Sequence, residues 1–434
     1  MLSKQTLIKS FFIAAAVTAV VILFTACPQP DAAPISDGTV ASFQKISSTK
    51  GSFGGTLDDG DAFGSSLAAP GDIDGDGVAD IVVGSSVDNT GGTNRGAVWV
   101  VFLRADGTVA GRQIIAEGTG GFNVTLADYD SFGSSITSLG DLNEDGVPDI
   151  AVGATGVDDG GMSKGAVWVL FLNTDGTVDS YQKIGDNDGN FNGSLEDANY
   201  FGSAVASLGD LDGDGVTDLA VGASGEDGGG FDRGSLWILF LNSDGTVSGE
   251  QEINATEGNF GGSLNDQDGF GNSLSSLGDI DGDGTIELAV GTPYASDGGV
   301  ASGVVWILSL NSDGTVASEQ SISAVTGGLE GTLEDGDLFG TSVTTPGDLD
   351  GNGFSDLVVG AMYDSDGGTY RGASWVLFLN GDGTVAREQK ISDIAGNFAG
   401  TLDNQDAFGS GATAPGDING DDIQDLIVGA QGDD

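Results

Sequence analysis

The dipeptide Phe-Gly recurs at Phe63, Phe132, Phe201, Phe270, Phe339 and Phe408, each 69 residues after the last, with no insertion or deletion between copies. A fixed period of this length means that one supersecondary unit is built repeatedly and that neighbouring units bury each other's apolar faces. A length of 434 residues would by itself suggest several domains. A closed ring of repeats shares one continuous core and counts as one domain.

The unit that begins at Phe201 shows what is repeated. It opens FGSAVASLGD, with small residues alternating around Val205 and Leu208, which suits the innermost strand of a blade crowded about a central axis. A loop from Asp210 to Asp218 leads to a short apolar strand that ends at Gly222, and the counterparts Gly84, Gly153, Gly291, Gly360 and Gly429 are all glycine. A backbone position with no room for a Cβ is expected there. The third strand, GSLWILFLN over 234–242, turns at Asp244-Gly245 into a fourth strand over 246–253. Trp99, Trp168, Trp237, Trp306 and Trp375, all the tryptophans of the chain, occupy one place in the third strand. Their apolar setting predicts blade-to-blade packing rather than a sugar-stacking set.

Four strands per unit around a ring predict an all-β fold, a β-propeller of four-stranded blades with six units visible. The 77 glycines and scarce prolines agree with this and with little helix. Asp37-Gly38-Thr39-Val40 matches the stretch just after a third strand, so the amino terminus is expected to supply the fourth strand of the last blade. No segment like GAVWVLFL follows Asp425 before the sequence stops at Asp434. The sixth unit therefore reads as incomplete, and the expectation leaves room for a seventh blade in a longer chain.

Between its first two strands each unit carries Asp-x-Asp-x-Asp-Gly-x-x-Asp or a near variant. The six copies are DIDGDGVAD, DLNEDGVPD, DLDGDGVTD, DIDGDGTIE, DLDGNGFSD and DINGDDIQD. Oxygens at positions 1, 3, 5 and 9, with the carbonyl of position 7, converge on one hard cation, and Ca2+ fits best because it accepts six to eight oxygens in flexible geometry. The candidate ligands are Asp72, Asp74, Asp76 and Asp80; Asp141, Asn143, Asp145 and Asp149; and Asp210, Asp212, Asp214 and Asp218. The later units supply Asp279, Asp281, Asp283 and Glu287; Asp348, Asp350, Asn352 and Asp356; and Asp417, Asn419, Asp421 and Asp425. About one ion per repeat is expected. Asp422 stands where the other loops have glycine, and Asp tolerates positive φ better than most residues.

Net charge is −53, which makes a phosphate backbone a poor partner, so nucleic acid is excluded. Histidine is absent, which removes the usual zinc sites and every His-based nucleophile or proton shuttle. The single cysteine, Cys27, rules out an internal disulfide framework, and bound metal is the expected substitute. Lys4 and Lys9, the apolar run FFIAAAVTAVVILF over 11–24 and Thr25-Ala26 predict a secretory signal over 1–26. Small residues before a lone cysteine resemble the bacterial lipoprotein signal. That resemblance implies an acylated Cys27, a tether over 27–38, a propeller over 39–434, and an exported protein anchored by lipid in the bacterial cell envelope or at its surface.

The order Phe-Gly, small-residue strand, acidic loop, apolar strand and Gly-x-Val-Trp-Val resembles the FG-GAP repeats of the integrin α-subunit propeller and its bacterial relatives. The third signature residue is never proline behind Gly-Ala, since this chain has GSS, GAT, GAS, GTP, GAM and GAQ. The resemblance implies calcium loops on one face and ligand-facing loops on the other. On that second face Arg95, Lys164, Arg233 and Arg371 share one repeated place, and pairing with the repeated acids Asp61, Asp130, Asp268, Asp337 and Asp406 is expected. A non-enzymatic adhesion or ligand-binding module, with a protein or glycan as partner, is the leading expectation. A structural envelope or matrix component is the alternative. A propeller hydrolase or lyase is disfavoured, because acids such as Asp58 and Asp59 recur from unit to unit and no unique acid, base or nucleophile stands out.

Overall fold

Alternating side chains put two apolar rows on each strand, so a blade must bury both faces, and a ring of blades satisfies that demand. The computed structural model describes residues 19–25 and 36–433, and all its named elements are strands. In chain order these begin with β1 (Ala19–Thr25) and β2 (Val40–Ser47). Blade one is β3 (Phe63–Gly71), β4 (Asp80–Ser85), β5 (Ala97–Leu103) and β6 (Val109–Ile115). Blade two is β7 (Phe132–Gly140), β8 (Asp149–Ala154), β9 (Ala166–Leu172) and β10 (Val178–Gly185), and blade three is β11 (Phe201–Gly209), β12 (Asp218–Ala223), β13 (Ser235–Leu241) and β14 (Val247–Ile253). Blade four is β15 (Ser273–Gly278), β16 (Ile286–Thr292), β17 (Val304–Leu310) and β18 (Val316–Ile322). Blade five is β19 (Phe339–Gly347), β20 (Asp356–Ala361), β21 (Ala373–Leu379) and β22 (Val385–Ile391), and β23 (Phe408–Gly416) and β24 (Asp425–Ala430) begin blade six.

Each of the six sheets has four antiparallel strands, and in blades one to five they lie in sequence order. Blade six runs β2-β1-β24-β23. The amino terminus thus supplies the fourth strand, as expected, and also the third. Ala19–Thr25, part of the apolar run read as a secretory signal, lies between β24 and β2. Its Val21 pairs with Val428, as Trp168 pairs with Val152 in blade two, so AVVILFT occupies the register of AVWVLFL. Cys27 and the tether residues up to 35 lie outside the described residues. The ring closes with six blades.

The apolar core consists of layers between successive blades rather than within them. Phe132 packs with Val82, Val98 and Val100 of blade one and with Val152 and Trp168 of blade two. The closing layer joins Val20, Ile22 and Ile427 of blade six to Phe63, Ile81 and Trp99 of blade one. Phe122 stacks on Phe132 at 4.7 Å and meets Trp168 edge-on at 5.3 Å, so the tryptophans fill the blade-to-blade layers as expected.

Backbone bonds fasten the same joints. Phe132 N donates to Arg95 O at 2.9 Å, Val178 N to Gly120 O at 2.8 Å and, across the closure, Val109 N to Gly51 O at 2.8 Å. Ser66 Oγ donates to Gly133 O at 2.8 Å, so the glycine of each Phe-Gly approaches the preceding blade's inner strand. A Cβ on Gly84 would overlap that same carbonyl, and one on Gly153 would overlap Gly202 O, which is why glycine is the next-to-last residue of each blade's second strand. The small residues of the first strands surround a narrow axial cavity of about 270 Å³ lined by hydroxyls such as Ser66, Ser135 and Ser342.

Candidate metal centres

Antiparallel order places the loops between first and second strands at one end of the ring, together with the outer hairpin turns. The loops are held by their own carboxylates. In blade one Asp72 Oδ1 accepts from Gly75 N at 2.7 Å and from Asp76 N at 3.0 Å, and Oδ2 accepts from Gly77 N at 2.8 Å. Gly77 has φ 93°, and in the sixth loop Asp422 takes the same left-handed conformation with φ 64° and donates to Asp417 Oδ2 at 2.7 Å. The exception to glycine is accommodated as expected.

Three carboxylates converge in four of the loops. Asp72, Asp74 and Asp80 offer oxygens within 4.8 Å of one another, and so do Asp210, Asp212 and Asp218, then Asp279, Asp281 and Glu287, then Asp348, Asp350 and Asp356. That spacing suits a hard, oxygen-ligated cation of calcium's size. The second and sixth loops carry Asn143 and Asn419 at position 3, so an amide oxygen replaces one carboxylate there. Asn143 Oδ1 nevertheless accepts from Asp145 N at 3.0 Å, as Asp74 Oδ1 does from Asp76 N at 3.1 Å.

Position 5 behaves differently. Asp76, Asp145, Asp214 and Asp283 each accept from the N–H two residues on, at 2.8 to 2.9 Å, and Asp421 does so at 3.0 Å. Asn352 does the same toward Phe354 N at 2.7 Å, while its Nδ2 donates to Leu379 O. Asp76, Asp214 and Asp283 thus stand outside the close groups of three.

Position 9 is the buried member. Asp80, Asp149, Asp218 and Asp356 have no exposed surface, Asp425 has 1% and Glu287 has 3%. Asp80 Oδ2 accepts from Ile73 N at 2.9 Å and Oδ1 from Leu103 N at 3.0 Å, so this carboxylate ties the loop to the third strand. Burial pushes Asp80, Asp149 and Asp218 up to about 6 and Asp356 and Asp425 up to about 7, with the backbone donors working against it. A cation there would restore the charged form.

At the other end of the ring the basic residues are paired, but not with the acids expected. Arg95 contacts Glu117 and Asp128, Arg233 contacts Asp266 at 3.0 Å, Lys164 contacts Asp186 at 2.6 Å and Arg371 contacts Asp393 at 2.5 Å. The repeated acids Asp61, Asp130, Asp268, Asp337 and Asp406 instead close turns, as where Asp130 Oδ2 accepts from Ala127 N at 2.7 Å. For Arg95 and Arg233, two residues' difference in the loop separates a buried turn-former from the exposed partner, Asp128 or Asp266. The same end exposes Tyr294, Tyr363 and Tyr370, with the last two rings 4.9 Å apart. Tyr294 and Tyr363 share one repeat place, but the other four units have Val87, Gly156, Gly225 and Gly432 there, so the repeat did not mark them.

Five stretches, residues 63–101, 132–170, 201–239, 270–308 and 339–377, match the FG-GAP repeat. The unit at Phe408 is not among them, consistent with its third strand coming from elsewhere in the chain. Integrin alpha-5 of Xenopus laevis is 32% identical over 253 residues, which is 57% of this chain and 21% of that protein. Integrin alpha-11 of Homo sapiens is 36% identical over 172 residues, 38% of this chain and 13% of the other. The matched region therefore spans about a fifth or less of these relatives. A crystal structure of a protein of unknown function from Bacteroides caccae aligns over 86% of this chain and 90% of its own, at TM-score 0.35 and 10% identity.

Proposed function

We propose that this FG-GAP repeat protein, related to the integrin alpha chains, is a non-enzymatic, calcium-stabilised binding module displayed at a bacterial cell surface. The convergence of three carboxylates within 4.8 Å in four loops of one register carries the calcium part of the proposal. Asn143 and Asn419 extend it to six sites, with an amide oxygen in place of a carboxylate. Without a cation, the crowded charges and the buried position-9 acids oppose folding at neutral pH.

Extracellular modules bind calcium at ~0.1 to 1 mM, so at about 1 mM calcium each occupied site adds ~0.4 to 1.4 kcal/mol by linkage. Four to six sites add ~2 to 8 kcal/mol, against typical domain stabilities of ~5 to 15. Scanning calorimetry in calcium and in excess EGTA is expected to separate the two melting temperatures by roughly 2 to 10 degrees. Coincident transitions would remove calcium from the proposal.

Ligand binding belongs to the end opposite the metal loops, where Tyr294, Tyr363 and Tyr370 expose aromatic surface beside acidic loops. The partner is a protein or glycan. Arrays of both, probed with calcium and with EGTA, are expected to retain the protein on a defined ligand only with calcium. Silence on every array would favour a structural envelope component instead. Export through the 1–26 signal and lipid attachment at Cys27 complete the proposal.

A further inference from the structure

Blade one has a cavity of about 620 Å³, lined among others by Asp58, Asp61, Asp88, Trp99, Arg112 and Ile114. Its meaning comes from the sibling blades. Across the third and fourth strands, Trp168 pairs in register with Lys183 and Trp375 with Lys390, and in blade six Val21 pairs with Lys45. Lys390 Nζ lies 2.6 Å from Asp364 and 2.8 Å from Asp366, and 5.1 Å from the centre of the Trp375 ring. Lys183 Nζ lies 2.6 Å from Asp159, 3.1 Å from Asp188 and 6.0 Å from the Trp168 ring. Lys45 Nζ lies 2.6 Å from Asp433. Three blades therefore seat an ammonium group at this place.

In blade one the register partner of Trp99 is Ile114, so that ammonium is missing. Of the two acids that hold Lys390, the counterpart of Asp364 remains and that of Asp366 is Thr90. Asp88 stands at the repeat position of Asp364 and Asp433 and is 6% exposed. Its Oδ1 accepts from Thr90 N at 2.7 Å, and among the described residues no donor reaches Oδ2. Trp99, 7% exposed, lines the same cavity, as Trp168 and Trp375 lie beneath the lysines of their own blades.

Arg112 is the cation on the wall. Its guanidinium is spent on Phe53 O at 2.8 Å and Gly54 O at 2.6 Å. Burial raises Asp61, Asp130, Asp337 and Asp406 alike, but a lysine works against it in the last three, whereas Asp61 has the acids Asp88, Asp58 and Asp59 beside it. Blades three and four lack the arrangement, because Glu252 occupies the lysine place in one and Ser321 faces a blade without an acid at Ala295 in the other.

We propose that the blade-one cavity binds a primary alkylammonium group, seated between Asp88 and the Trp99 ring as the sibling blades seat their own lysines. The three N–H donors of such a group reach the Asp88 and Asp61 carboxylates, the charge faces the indole, and the alkyl stem lies along Ile114. A lysine side chain of a partner protein and a free alkyl amine share this chemistry. The site is independent of the metal loops and of the tyrosine patch.

The test is calorimetric titration of the full chain, in saturating calcium, with n-butylammonium and separately with a blocked Gly-Lys-Gly peptide. One saturable site is expected for at least one probe. Butylammonium alone would identify a free amine, and the peptide alone a partner's lysine. Ile114→Lys, which supplies the group in cis, should abolish the site without lowering the melting temperature. Asp88→Asn and replacement of the probe by tetramethylammonium should each weaken binding about tenfold or more, the loss expected for one charged hydrogen bond. Absence of saturable binding, or an unchanged titration in both Ile114→Lys and Asp88→Asn, would overturn the proposal.

Discussion

Glu226 and Glu252 put two carboxylates where sibling blades have a lysine and an acid. Ser235 Oγ donates to Glu252 at 3.3 Å and Trp237 Nε1 donates to Glu226 at 3.3 Å, but burial first, and Glu252 second, push Glu226 up to about 7. A folded-state value above the unfolded one means that the native protein holds an extra proton at intermediate pH. The associated stability is full below about pH 4.5 and is lost as pH rises through about 7. The loss is on the order of 3 kcal/mol. Glu226→Gln should therefore flatten the dependence of stability on pH between 5 and 8, measured by urea unfolding, and Glu252→Lys should raise stability at pH 8. An unchanged pH profile in Glu226→Gln would refute this assignment. The exchange of lysine for Glu252 was visible in sequence, but its consequence was not, because nothing local says that positions 226 and 252 face each other beneath Trp237. Gly222 is the opposite case. Its constraint is a collision with the next Phe-Gly backbone, and a period-locked glycine announces it.

The acidic loop is a ligand set and a structural joint at once. Asp149 accepts from Leu142 N at 3.0 Å within the loop and from Leu172 N at 3.1 Å on β9. Alanine there strands two buried donors, each worth ~1 to 3 kcal/mol, so Asp149→Ala should lose ~2 to 6 kcal/mol even in EGTA. Asp145→Ala removes only an exposed turn contact and should cost under ~1 kcal/mol in EGTA. Both should reduce the extra stability that calcium confers. Equal losses in EGTA would mean that position 9 has no structural duty. The spacing Asp-x-Asp-x-Asp-Gly-x-x-Asp marked all four side chains as equivalent oxygen donors. Three of them, at positions 1, 3 and 9, converge in the first, third, fourth and fifth loops, and the position-5 carboxylate stands apart in the first, third and fourth. That sorting depends on side-chain torsions and on where the third strand's N–H groups lie, neither of which is written in the loop.

Closure of the ring depends on β1 and β2, which carry Val20, Ile22 and Ile46 into the layer with blade one and Val21, Leu23 and Val40 into the layer with blade five. Lys45 of β2 and Asp433, which follows β24, pair at 2.6 Å within blade six itself. Removal of residues 1–26 with the proposed signal would take β1 out of blade six and leave the place between β24 and β2 without it. Mass spectrometry of protein extracted from membranes is expected to find residues 1–26 absent and acyl chains on Cys27. A mass that retains them would overturn the lipoprotein proposal and keep β1 in the blade. The period of 69 residues was enough to establish six units, four strands per blade, and the places of the Phe-Gly pairs, the tryptophans and the carboxylates, while closure at six blades came from the structure. Those features are local and repeat in register, so each copy confirms the others. The third strand of blade six, the acids that hold Arg95 and Arg233, and the cavity beside Ile114 emerged only with the assembled ring. They arise where different units meet, and contacts between distant segments leave no periodic trace in a single chain.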